Sequence, residues 1–183
     1  MGLDMYLTAT KYVGGWKHCT EPEFDKLVKM TGITPHTGSP HFTIEISVMY
    51  WRKANAIHKW FVDNVQESRD NCQTSDVSRE QLAELRDACK KVLNSVETVP
   101  GQVSEGYSIY PGGRREDHFR DGEVIAQQGI AEKILPTQDG FFFGKTNYDE
   151  DYLLDLKETA EALDKILSDK ALEGYDFQYC ASW

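Results

Sequence analysis

Apolar and polar residues alternate along the opening of the chain. Leu3, Met5, Leu7 and Ala9 fall on one face, and Asp4, Tyr6, Thr8 and Thr10 on the other. A period of two marks a half-buried strand, predicted over 3–9 and interrupted by Gly14-Gly15. Residues 21–30 read as a short helix with Phe24, Leu27 and Val28 inward, and 34–40, with Pro35, Gly38 and Pro40, as a loop. A second strand is predicted over 42–48, where Phe42, Ile44, Ile46 and Val48 alternate with Thr43, Glu45 and Ser47. From Tyr50 the pattern changes: Tyr50, Ala54, Ile57, Phe61 and Val65 are spaced as a helix stripe, so a helix over 50–66 follows with no Gly or Pro between.

Ser78 and Gln81 form a capping box, with Val77 and Leu82 at the staple positions, and open a helix over 79–96. Its buried stripe is Leu82, Leu85, Cys89, Val92 and Val96, and Pro100-Gly101 closes it. The glycine-rich stretch 100–123 reads as a long surface excursion with room for a short hairpin at 107–110. Pro136 to Gly140 is a turn, and Phe141-Phe142-Phe143 before Gly144 reads as a short strand buried on both faces. Asn147 or Asp149 caps a last helix over 150–168, striped by Leu153, Leu156, Ala160, Leu163 and Leu167. Gly174 ends it, and Tyr175, Phe177 and Tyr179 alternate along a final strand over 175–180. Strands and helices do not alternate regularly, so the expected class is α+β. The expected architecture is one domain over 1–183: a single sheet of at least four strands packed against about three helices.

Composition narrows the setting. The chain has 183 residues, 40% of them apolar, and no run long enough to span a membrane. Its net charge of −10 argues against non-specific nucleic-acid binding or attachment to an anionic membrane, while leaving room for a local basic pocket. The N-terminus lacks the basic and apolar segments of a secretory signal, and a cytoplasmic location is expected. Cys19, Cys72, Cys89 and Cys180 form no C-x-x-C pair; their even count allows two disulfides, but four reduced thiols are the expectation for a chain of this length. Four tryptophans and the triple phenylalanine are more aromatic surface than a small sheet easily covers, which predicts a homo-oligomer.

The densest polar cluster lies at the start of the 50–66 helix. At ~100° per residue, Trp51, Asn55, His58 and Val62 share one edge, with Arg52 and Lys59 just beyond. An aromatic plane, an amide, an imidazole and two cations suit a nucleobase and a phosphate. Arg52, Lys53 and Asn55 would also sit near the helix N-terminus, where free N–H groups favour an anion. The competing reading makes the aromatics core and pairs the cations with some of the chain's acids. Around Thr137 and Gln138, the flanking glycines allow close approach of a ligand, or simply a tight turn over core aromatics. Catalytic signals are thin. His58 has no sequence-local carboxylate or thiol to activate, His36 and His41 lack helical metal spacing, and Glu116-Asp117-His118 reads as a solvated run. No metal and no cofactor is expected.

Several blocks resemble a family of small, mostly uncharacterised bacteriophage and prophage proteins. They are the opening Met1-Gly2-Leu3-Asp4-Met5-Tyr6-Leu7, the run from Tyr50 to Val62, and the run from Leu135 through Pro136-Thr137-Gln138 and Gly140-Phe141-Phe142-Phe143-Gly144. Tyr148-Asp149-Glu150 and the ending Ser182-Trp183 belong to the same pattern. The resemblance implies a phage accessory protein acting in the bacterial cytoplasm, and implies no activity. It includes polar residues that a core does not require, which favours a binding site formed by Trp51, Arg52, Asn55, His58, Lys59, Thr137 and Gln138. The preferred expectation is binding of a small anionic, nucleotide-like ligand without chemistry, sequestering a host immune signal. One alternative is an enzyme hydrolysing a nucleotide signal with His58 as acid or base. Another is an acidic interaction protein that blocks a host protein.

Overall fold

The computed structural model describes residues 2–16, 19–33 and 40–183. It is α+β, as the sequence predicts: an antiparallel sheet carries helices on one face, and a separate two-stranded ribbon projects beside them. Strand β1 (Asp4–Trp16) is central. It pairs on one side with β3 (His41–Arg52) and on the other with β7 (Asp176–Ser182). The short β4 (Ser75–Val77) extends the sheet beyond β7, and β2 (Cys19–Thr20) folds back on the end of β1. Of the loop predicted over 34–40, residues 34–39 lie outside the described residues.

Two strands outrun their predicted ends, and each has a local cause. β1 continues through Gly14-Gly15, and Gly15 lets helix α1 (Pro22–Thr31) close on the sheet: a Cβ there would lie 2.4 Å from Cζ of Phe24. β3 continues past Val48 to Arg52 through a bulge, where pairing steps from Met49 opposite Leu7 to Ser47 opposite Thr8. The extra residue resets the alternation, so Met49 and Trp51, rather than Val48 and Tyr50, join the inner face with Leu7 and Met5. That break of period mimics the onset of a helix. The predicted helix over 50–66 is corrected: Tyr50, Trp51 and Arg52 are strand residues, and α2 spans only Asn55–Asn64.

The remaining helices follow the sequence more closely. α3 (Arg79–Leu93) opens on the expected Ser78–Gln81 capping box but stops short of 96. α5 (Glu150–Ser168) has its predicted bounds, with the Asp149 carboxylate accepting from the N–H groups of Asp151 and Tyr152. A short α4 (Gly129–Ile134) and a 3-10 turn (Lys170–Leu172) had no sequence signal. Met5 and Leu7 of β1, Phe61 of α2, Leu82 and Leu85 of α3, Leu156 and Leu163 of α5 and Phe177 and Tyr179 of β7 meet in one core. The Phe61 and Tyr179 rings stack at its centre with centroids 3.8 Å apart.

Two further expectations are corrected. The stretch 100–123 is not an irregular excursion: β5 (Thr98–Ile109) and β6 (Arg115–Ile125) form one long antiparallel hairpin. Residues 141–143 form no strand. Phe141 is 93% exposed, and only Phe143 of the three is buried. The sheet therefore gains its fourth strand from β4, not from the phenylalanine run. Among the described residues, no helix is long and apolar enough to cross a membrane.

Candidate functional site: a cleft beneath the hairpin

An open cleft of about 990 Å³ lies between the end of β3, the first turn of α2, the 137–147 segment, the first turns of α5 and the inner side of the hairpin. Its near wall starts at Arg52 and Lys53. Lys53 is in the left-handed region (φ 61), which ends the strand and turns the chain into α2. Its side chain packs over Gly144, where a Cβ would sit 3.2 Å from that of Lys53. Neither the Arg52 nor the Lys53 side chain makes an ion pair or a hydrogen bond among the described residues. The N-cap of α2, Ala54, offers no side-chain oxygen, and its first turn holds no acid, so the positive end of the helix faces the cleft beside two cations.

The opposite wall combines aromatic and charged groups. Tyr107 of β5 is half exposed, and the Arg115 guanidinium lies 4.2 Å over its ring. Phe141 and Phe142 meet edge to face at the rim. Lys145 is occupied: its ammonium pairs with Asp149 at 2.7 Å and Asp151 at 2.6 Å. Burial alone would pull its pKa down, but the two carboxylates outweigh that and hold it above the usual lysine value. Arg115 is likewise paired with Asp117, and Glu105 with Arg120.

Asp155, one turn beyond Asp151 on α5, is different. Its carboxyl lines the cleft with no ion pair or side-chain hydrogen bond among the described residues. Burial, reinforced by Glu158, Asp151 and Asp149 and opposed by Lys145, pushes its pKa up to about 7. Near neutral pH that carboxyl is partly protonated and can donate a hydrogen bond. With Lys145 and Arg115 paired, the lining charges without an ion pair among the described residues are Arg52 and Lys53, opposed by Asp139 and the partly protonated Asp155.

The structure brings Arg52, Asn55 and Thr137 to this cleft, and leaves Trp51, His58, Lys59 and Gln138 outside its lining. Asn55 holds the wall rather than facing a ligand alone. Its Nδ2 donates to the carbonyls of Phe143 (3.0 Å) and Lys145 (2.8 Å), and its Oδ1 accepts from the Gln138 N–H (3.1 Å). Thr137 donates through its hydroxyl to the Thr146 carbonyl. Trp51 is core, with its indole N–H donating to Thr159 Oγ1 at 2.8 Å. Lys59 pairs with Asp63 one turn along α2.

His58 is fully buried, and both ring nitrogens are engaged, Nδ1 with the Tyr179 hydroxyl (2.7 Å) and Nε2 with Asp70 (3.0 Å). Burial keeps the Tyr179 phenol protonated. Asp70 also accepts from the Trp183 indole N–H and from Gln138 Nε2. Sealed in this way, His58 has no access to a molecule in the cleft as acid or base. No group of three His, Cys, Asp or Glu among the described residues can hold a metal ion.

The sequence reading missed Tyr107, Arg115, Phe141 and Asp155 as lining residues. Only Asp155 carried a signal, as an acid on the buried arc of a helix, adjacent to Leu156 and one turn from Tyr152 and Thr159. The hairpin residues reach the cleft through tertiary packing alone. No protein-family model, curated protein or solved structure matches the chain.

Proposed function

We propose that this chain binds a small anionic, nucleotide-like ligand in the cleft without chemistry, as a bacteriophage accessory protein that sequesters a host immune signal. The observation that carries the reading is the pair Arg52 and Lys53. In a chain of 30 acids and 20 bases, two adjacent cations at the edge of a cleft make no ion pair among the described residues, although Asp4 stands opposite Arg52 across the strands. The uncapped N-terminus of α2 adds N–H groups beside them. Tyr107, Phe141 and Phe142 offer ring faces for a planar group, and the Asp155 carboxyl offers a donor or acceptor for its edge.

The test is calorimetric titration with a panel of cyclic and linear nucleotides, followed by analysis of bound and free fractions. Arg52→Ala and Lys53→Ala are each expected to weaken binding by ~1.5–3 kcal/mol, the range for hydrogen bonds to charged groups, while the circular dichroism spectrum stays unchanged. Recovered ligand should be chemically intact. Absence of binding, or conversion of any panel member, overturns the reading.

The same reading includes self-association. The sheet face opposite the helices leaves Tyr6, Tyr12 and Tyr50 exposed, and among the described residues β3 is paired along one edge only. Sedimentation equilibrium at micromolar concentration should show a species heavier than the 20.9 kDa chain, and a lone monomer would refute it.

A further inference from the structure

We propose that Cys72 and Cys180 are a reversible disulfide pair, closed by exchange with a small-molecule disulfide such as oxidised glutathione. The sheet sets up the encounter. β4 pairs Ser75 with Tyr179, so the chain that leads into Ser75 runs beside Cys180. The Cys180 thiol donates to the Cys72 carbonyl oxygen at 3.7 Å, across 108 positions of sequence. A disulfide needs ~4.4–6.8 Å between Cα atoms, a spacing compatible with a thiol that already rests on its partner residue's backbone.

Access and selectivity follow from the surroundings. Cys72 is exposed and Cys180 half-buried, so an oxidant in solution meets Cys72 first. Cys89 is sealed among the helices, where burial pushes its thiol up to about 12 and withholds the reactive thiolate. The segment that carries Cys72 is held at fixed points. Gln66 and Gln73 exchange hydrogen bonds across it, and Asp70 is anchored by His58 and Trp183. Cys72 itself is in the left-handed region (φ 58), as are Glu67 and Ser68. The thiol therefore sits on a constrained turn beside β7 rather than on a free tail.

The exchange balances. The Cys72 thiolate attacks one sulfur of the oxidant and expels the other as a thiol, leaving a mixed disulfide on Cys72. The Cys180 thiolate then attacks the Cys72 sulfur and expels the second thiol. Two protein thiols are oxidised, one small disulfide is reduced to two thiols, and the protons lost by the protein end on those thiols. The bridge would tie the 66–74 turn to β7 and fix Asp70 beneath His58. A thiol reductant reverses it.

The test uses the full chain, reduced and then exposed to oxidised glutathione, with alkylation before intact-mass and non-reducing peptide analysis. The expected product carries two alkyl groups fewer than the reduced control and contains a Cys72–Cys180 peptide. Its thiol titre under denaturing conditions falls from four to two and returns to four with dithiothreitol. Cys72→Ser should form no internal bridge, and Cys180→Ser should stop at one glutathione adduct on Cys72. If either variant does not fold, the peptide map of the wild-type protein decides alone. An unchanged titre, adducts that never resolve, or a bridge involving Cys19 or Cys89 would overturn the assignment.

Discussion

Asn55 uses its whole amide on the backbone of the 138–145 segment, giving two hydrogen bonds and accepting a third. Asn55→Ala would leave the Phe143 and Lys145 carbonyls and the Gln138 N–H without that partner, at ~1–3 kcal/mol for each group that stays buried. The expected loss is about 2–4 kcal/mol by urea denaturation, together with weaker ligand binding because the wall moves. A loss below ~1 kcal/mol would mean the segment is held by other contacts. At Asp155 the sign of the pH effect follows from its pKa. The folded protein holds this proton up to about 7, against an ordinary value of 3.8, so folding takes up a proton between them. The stability that protonated Asp155 contributes is present at low pH and is lost as pH rises through that window. Asp155→Asn should flatten the profile between about pH 4 and pH 7 and be more stable than the wild-type protein at pH 8. Unfolding both proteins across that range checks it, and parallel profiles would contradict it. In the sequence, Asn55 stood out as a polar residue on a helix edge, yet its partners are 88 and 90 positions away, beyond the reach of any local pattern.

The hairpin shows why some elements cannot be read from alternation. Period-two patterning requires one face to be buried, and along β5 and β6 only Val103 and Ile125 are. Charge ties the ribbon to its surroundings at mid-length, and at its base the Ile125 N–H donates to the Tyr148 carbonyl. Arg120 reaches Glu150 and Asp151 on α5, with Glu105 beside it, and the Lys145 ammonium donates to the Ser104 carbonyl. Arg120→Ala is expected to speed amide exchange across 98–125 while leaving β1 and β7 protected. Uniform change over the whole chain, or none in the hairpin, would place the anchor elsewhere. The phenylalanine run failed as a strand for the complementary reason. Apolar character alone does not supply a ladder partner, and the Phe143 carbonyl is taken by Asn55 instead. Where burial, period and cap agreed, as at Ser78–Gln81, the helix start was legible to the residue, and for α5 the structure chose Asp149 over Asn147.

At the scale of the molecule, helices cover one face of the sheet, and the cleft opens where that layer meets the hairpin. Its residues come from the end of β3, α2, the 137–147 segment, α5 and the hairpin, so it belongs to no single stretch of chain. The sequence by itself determined the α+β class, the alternating faces of β1 and β7, the apolar stripes of α3 and α5 and the capping box of α3, because those signals repeat within a few residues of one another. It also marked Arg52, Asn55 and Thr137. Tertiary structure alone decided that Trp51 and His58 are interior, that a bulge at Val48 carries β3 on to Arg52, and that Tyr107 and Asp155 face the same space. The physical reason is range. Propensity and periodicity act between neighbours along the chain, whereas the partners of His58, Tyr179 and Asp70, lie 121 and 12 positions away and are chosen by packing.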